Sequence, residues 1–412
     1  MFKAGFILLI AFMILLPSMV LAFDFKELQI NGFISQGYLK SSYNNWLAVD
    51  SVDGTLQINE VGITLTAPVT QRLRVGMQLL SRDLGDEGNN EVRLDWAFGD
   101  YRISDSFGLR LGKVKMPIGL YNEGRDSDFL RNMAFLPQSV YDETRRNLLV
   151  ASQGLQIYGN IPLSAAGDLD YAAHYGQIHF PEDSPTLDAF LGFANMGAGW
   201  NPLAPAPNPS PWNRISADNE YVYGGQLRYN TPLDGLRLAG SFFEGKADFS
   251  LNDSNGTTPA GNLRVKIHQM YVASLEYATP WFTLSSEYVQ YKQPAWLNGT
   301  EFPSGTSVGM YGMLAIPFPG QENVCVVGMY DVYYSDEEDK SGTRQALIMG
   351  GAAYDYYRKD VGAGVRWDLN DFWLIKAEYH KVIGAALLTQ YFNANMAVKN
   401  WDYYAVKTSF NF

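Results

Sequence analysis

The 412-residue chain has a single cysteine, Cys325. No intrachain disulfide can form, so this is not a disulfide-stapled module, and thiolate zinc sites are excluded. Long apolar runs are also missing. Apart from Phe6–Leu16, which is too short to cross a bilayer as a helix, no run approaches 18 residues, and no transmembrane helix is available. Histidine is scarce: His174, His179, His268 and His380. VGAGV at 361–365 reads as small strand residues rather than a phosphate cradle. These absences argue against an enzyme and imply no cofactor. A formal net charge of −12 leaves no basic excess for nucleic acid. Linkers, composition shifts and solenoid repeats are absent too.

What is present is aromatic and glycine-rich: 26 Tyr, 23 Phe, 9 Trp and 39 Gly. The N-terminus reads as a secretory signal peptide over 1–22. Lys3 gives the positive end, Pro17 and Ser18 follow the apolar run, and Val20-Leu21-Ala22 places small residues at the cut. The remainder, 23–412, reads as one domain. An exported chain of this composition suits a barrel in the outer membrane of a Gram-negative bacterium, in contact with lipid and lipopolysaccharide.

Alternation supports that reading. In 91–102, Val92, Leu94, Trp96 and Phe98 share one face, and Arg93, Asp95, Ala97 and Gly99 the other. In 262–278, Ile267, Tyr271, Ala273, Leu275 and Tyr277 oppose Lys266, His268, Ser274 and Glu276, with Gln269 off pattern. In 372–383, Trp373, Ile375, Ala377 and Tyr379 oppose Lys376, Glu378 and His380. The whole chain yields sixteen candidate strands: 28–40, 55–67, 72–82, 91–102, 107–117, 150–162, 168–178, 219–230, 235–249, 262–278, 281–292, 307–316, 324–335, 360–368, 372–383 and 399–412. Their connections alternate long and short, as outer loops and periplasmic turns do. The last strand puts Tyr404, Val406, Thr408, Phe410 and Phe412 on one face, resembling the terminal strand by which the barrel-assembly machinery recognises its clients. The fold class is therefore all-β: a 16-stranded antiparallel transmembrane β-barrel. Such a barrel encloses an aqueous channel.

The third long connection, 118–149, reads as a constriction loop folded into that lumen. It sets Arg125, Arg131, Arg145 and Arg146 against Glu123, Asp126, Asp128, Asp142 and Glu143. A fork of arginine donors suits a small anion, a phosphate or a carboxylate. The same charges could instead pair and pin the loop to the wall; the two roles can coexist. Where the apolar phase is clear, the opposite phase assigns to the lumen Arg74, Arg93, Asp95, Arg110, Arg228, Lys266, Glu276, Arg366, Asp368, Lys376 and Glu378, a set that leans basic. Lys113 and Lys115 would face lipid if the phase of Leu109 and Leu111 continued. A bulge near Gly112 would turn them into the pore; otherwise they snorkel at the interface. The surplus acid falls in outer loops, at Asp50, Asp53, Asp83, Asp86, Glu87 and 336–339, either binding divalent cations or simply solvated.

QINGFISQGYLKSS, LRLGKVKMPIGLYNEGRD, FLPQSVYDE and GLQIYG resemble the phosphate-selective porin O and P family. The resemblance implies a homotrimeric anion channel with an inward third loop, whose anion path is lined by arginine and lysine beside an acidic residue. The positions it assigns to that path are Arg93, Asp95, Lys113, Lys115, Arg125 and Arg131; Arg110, Arg145 and Arg146 join them from the phase and the loop. A structural or adhesive barrel is the alternative, suggested by the Pro-rich text PLAPAPNPSPW in the 179–218 loop. An outer-membrane barrel enzyme is the remote one.

Overall fold

The computed structural model describes residues 27–412 apart from 48, 86, 181–184, 199–210, 256–258, 389–392 and 394–396. The proposed signal peptide, Asp86 and most of the Pro-rich text lie outside the described residues.

Eighteen strands follow in chain order: β1 (Gln29–Ser41), β2 (Thr55–Pro68), β3 (Leu73–Asp83), β4 (Val92–Ser104), β5 (Phe107–Lys115), β6 (Ala151–Pro162), β7 (Asp168–Gln177), β8 (Arg214–Asn230), β9 (Leu236–Asn252), β10 (Gly261–Ala278), β11 (Thr283–Lys292), β12 (Ala295–Leu297), β13 (Thr300–Phe302), β14 (Thr306–Phe318), β15 (Gln321–Tyr334), β16 (Tyr357–Asn370), β17 (Trp373–Ile383) and β18 (Asn400–Asn411). β12 and β13 form a small hairpin on the end of β10, and β11 pairs directly with β14. The wall is thus a closed, antiparallel ring of sixteen strands.

The seam joins β1 to β18, from Phe33 opposite Asn411 to Ser41 opposite Tyr403. Gly32 and Phe412 exchange backbone hydrogen bonds of 2.9 and 3.0 Å. A side chain at Gly32 would run into the Phe412 ring, so the closing residue is seated over a glycine. Closure leaves the sixteen-strand wall without an edge of unpaired backbone groups, which is what hydrocarbon demands.

Strand parity sorts the side chains. Ile34, Ile63, Leu94, Tyr271, Val365 and Val406 are exposed large apolar residues on the outer face. So large an exposed apolar surface is foreign to a water-soluble monomer and matches a lipid-facing belt. Ser35, Glu60, Gln78, Glu287, Asp331 and Lys407 are buried on the inner face. Beyond the belt, the long strands β8 to β10 enclose an apolar cluster in which Phe180, Leu187, Trp212, Phe249, Leu263 and Leu297 pack together, helped by the helix Pro185–Gly197.

Two bulges change the parity read from sequence. One lies where β10 shifts register between Ile267 and Met270, with Gln269 at φ 51°. Before it, Val265 and Ile267 are buried with the inner cluster, so Lys266, expected in the lumen, and His268 take the opposite face. Lys266 Nζ sits 5.4 Å from the Trp296 ring centroid. The other lies in β4: Gln78 pairs with Trp96 but Leu79 pairs with Leu94, leaving Asp95 as the extra residue. Around Gly112 there is no register shift against either neighbour, although its φ is +134°, so the bulge expected there is one strand away. Asp95 stays buried, and Trp96 and Phe98 now share the parity of Asp100, which bonds Arg74 and Arg110. The apolar phase assigned to Trp96 and Phe98 is therefore corrected: these two rings turn to the inner face.

Candidate functional site: the segment 116–150 and the wall around it

Between β5 and β6 the chain runs from Met116 to Val150 with little regular structure. Its backbone polar groups must then find partners elsewhere. They find them on β8, β9, β11, β15, β16 and β17, and charged side chains of the segment reach β2, β3, β4 and β18 as well.

One limb is organised around Asp128. Its carboxylate accepts from Arg131 at 2.7 Å and from the Ser409 hydroxyl at 2.6 Å, and lies 3.0 Å from Lys407 Nζ. Glu60 bridges the same cations, 2.6 Å from Lys407 and 3.7 Å from Arg131. Lys376 donates to the Asp128 and Met133 carbonyls, Arg366 to those of Phe129 and Arg131, and the Ala134 N–H to Glu378. Burial alone would push the Asp128 carboxyl up. The Arg131, Lys407 and Lys376 cations overcome it and hold the group far below the usual carboxylate range.

A second limb is organised around Glu143. Arg125 reaches it at 2.9 Å and Arg82 of β3 at 3.0 Å. Here too burial opposes ionisation, and the Arg125, Arg82 and Arg131 charges more than offset it, so the carboxyl is held well down. Beside it Arg146 bonds Asp95 at 2.8 Å and Asp126 at 2.5 Å, and Lys115 bonds Asp126 at 2.7 Å. The bulge in β4 is what presents Asp95 to Arg146.

A third contact is made through neutral donors. Glu287 of β11 accepts from Tyr141 at 2.5 Å, Ser274 at 2.5 Å, Tyr311 at 2.8 Å and the Leu120 N–H at 2.9 Å. Gly119 is fixed by Ser241 and Gln226 on β9 and β8, and Tyr121 by Ser285. Asp331 accepts from the Ser139 N–H and is paired with Arg358. The apolar side chains Met133, Leu136, Val140 and Tyr141 pack in the same core as Met313, Val327 and Met329.

The residues singled out from sequence fall into distinct environments. Arg125, Arg131 and Arg146 are buried in ion pairs. Arg145 is partly open, bonded to Asp142, Tyr291 and Gln293. Arg110 lies between the Phe98 and Tyr158 rings and bonds Gln156 and Asp100. Arg93 pairs with Glu91 near the strand end. Lys115 turns to Asp126, whereas Lys113 donates to the Leu94 carbonyl at the bulge. Of the outer-loop acids, Glu87 is buried 3.8 Å from Arg82, and Asp83 accepts from Gly85 and Asn90.

Sequence reasoning missed Glu60, Arg82, Asp100, Arg237, Glu287, Asp331, Arg358, Asp360 and Lys407, which share the inner face or its ends. Their signal was available. Lys407 alternates with Val406 and Thr408, and Glu287 with Tyr288, so parity extended to every strand finds all but Asp100, which shares the sequence parity of Leu94 and turns inward only through the Asp95 bulge. With them included, the basic lean of the inner wall nearly vanishes. Two cavities border residues 119–131. One, of about 240 Å³, lies between Glu123, Arg125 and Leu130 on the segment and Arg228, Arg237 and Glu276 on the wall. The other, of about 470 Å³, shares Glu123, Gly124 and Leu130 and extends past Lys115, Trp96 and Phe98 to Phe33 and Phe412. Among the described residues no group of three or more His, Cys, Asp or Glu is arranged to hold a metal ion.

No protein-family model and no curated protein matches the chain. Solved structures do match the fold. OmpT, an outer membrane protein of Vibrio cholerae, aligns over 93% of this chain and 97% of its own, with 11% identity and a TM-score of 0.55. Salmonella typhi OmpF in complex with daunomycin covers the same shares at 12% identity and a TM-score of 0.55. The anion-selective porin from Comamonas acidovorans covers 93% and 99%, at 11% identity and a TM-score of 0.52. The fold is thus that of outer-membrane porins.

Proposed function

We propose that the protein is a water-filled outer-membrane channel for passive diffusion of small hydrophilic solutes, with 116–150 crossing the lumen as its constriction, and that it is not an enzyme. One observation carries this reading. A single irregular segment bonds to strands on every side of a closed ring, and only a segment inside the ring can reach them all. The two cavities beside residues 119–131 are then halves of the remaining passage.

Selectivity follows from which charges stay open. Arg125, Arg131 and Arg146 are neutralised by buried carboxylates and act as pins. Arg228, whose bonded partner Gln226 is neutral, borders the passage instead, next to Arg237, which is half-exposed but paired with Glu276. Arg228 supports a mild anion preference. Preference for phosphate rests on the family resemblance alone, and a homotrimer is proposed on the same ground.

Purified protein in planar bilayers tests the reading. The expected result is stable, open channels, with reversal potentials in a chloride gradient showing a small anion bias. A barrel that never conducts favours the adhesive alternative, for which the exposed Leu347, Ile348 and Met349 on the helix Thr343–Met349 would supply a contact surface.

A further inference from the structure

Pinning and charge leave one group of side chains without a role. Trp96 and Phe98 stack with centroids 5.1 Å apart and planes 27° apart. The Trp96 ring lies against Gly76, where a Cβ would meet it at 3.1 Å, so the missing side chain makes room for it on the inner face. Arg110 sits 5.2 Å from the Phe98 centroid and 4.3 Å from that of Tyr158. Leu130, 64% exposed, faces the same cavity from the segment, and Phe33 and Phe412 line its mouth at the end of the barrel where the short turns lie.

Aromatic rings gain nothing from facing water, and on the other parity both would face lipid, where they are at home. The Asp95 bulge puts them inside, half-buried and open to the cavity. Polar ends of both signs stand beside them. The Glu123 side chain is 44% exposed and 4.0 Å from Arg110, too long for a firm bond. The cations here, Arg110 and Lys115, already face Asp100 and Asp126, so the cavity has no surplus of positive charge.

We propose that this cavity is a binding site for a small aromatic solute of no net charge, of the type of an aromatic amino acid. The ring stacks on Trp96 and Phe98, the carboxylate meets Arg110, and the ammonium meets Glu123. The inference rests on the channel reading, and on a passage that binds its solute weakly enough to release it.

The test is block of the channel in planar bilayers by L-tryptophan, L-leucine, indole-3-acetate and maltose, each expressed against that channel's own solute-free current. L-tryptophan is expected to half-block at a concentration at least about tenfold below L-leucine, which has the same charges without the ring. Trp96→Leu, and separately Phe98→Leu, which keeps apolar volume, are expected to raise the half-blocking concentration of L-tryptophan about tenfold. Equal block by L-leucine, or L-tryptophan block unchanged in both variants, overturns the site. Stronger block by indole-3-acetate overturns the charge assignment, and stronger block by maltose gives the site to a sugar instead. Absence of any solute-free current overturns the channel reading. Equilibrium dialysis of the detergent-solubilised protein with labelled L-tryptophan then decides the site by itself, where no saturable binding overturns it.

Discussion

Arg125 and Arg228 carry the same charge and do different things, because their surroundings differ. Arg125 is buried against Glu143, and its field outside the pair is largely cancelled. Arg228 borders the passage beside a neutral amide, and its field reaches a passing ion. Replacing Arg228 by Gln is therefore expected to lower the anion-to-cation permeability ratio by a few-fold, read as a shift of reversal potential. Arg125→Gln is expected to leave the ratio nearly unchanged and to increase current noise, since Glu143 then keeps Arg82 but loses its nearest partner. The sequence shows both arginines as lumen or loop charges. It does not show which is spent on a neighbour, because Glu143 is brought to Arg125 by how the segment lies.

At the scale of the element, the segment 116–150 is fastened by three different chemistries. One limb hangs on a knot of charge at Asp128, a second on Glu143, and a third on neutral donors to Glu287. Buried ion pairs of this kind add little net stability over apolar packing, yet breaking one from a single side costs about 3–5 kcal/mol because charges are left alone. Asp128→Ala leaves Glu60 alone to face Arg131 and Lys407 and takes from Lys376 its paired carboxylate. The expected outcome is a lower unfolding temperature in detergent with a higher and noisier open-channel current, as the limb 128–134 leaves the wall. Unaltered current with a lowered unfolding temperature would mean that this limb borders no part of the passage. The segment's length and its balanced charges were legible as a long loop between two strands. Its attachments were not, because Ser409, Lys407, Lys376 and Asp331 come from strands far away in the chain.

For the whole molecule, pH dependence follows from the depressed carboxyls. Asp128 and Glu143 titrate far below the roughly pH 4 of an unfolded carboxylate. A group depressed on folding contributes stability that is complete above the unfolded value and fades as pH falls through the folded one. Unfolding temperature and open-channel current are thus expected to stay flat from about pH 8 to about pH 5; only below about pH 4 is the unfolding temperature expected to fall and the current to rise and grow noisier. A midpoint between pH 5 and 7 in either measurement would assign the fastening to other groups.

Sixteen alternating segments and the long-and-short rhythm of their connections determine the barrel on their own. Each is a local pattern, and lipid leaves backbone only a closed sheet or helices to choose from. Parity is local too, which is why Lys376, Glu378 and Arg110 could be placed on the inner face unaided. A bulge is different. It adds one residue to one strand of a pair, and only the pairing reveals it. Gln269 hinted at one by breaking the pattern, while Asp95 hid the other inside an unbroken alternation. The tertiary structure alone therefore decided that Trp96 and Phe98 turn to the inner face, that Lys266 does not, and which of the loop's arginines are buried in ion pairs. Register, and the ion pairs that tie the loop to the wall, are relations between distant segments, and no single stretch of chain contains them.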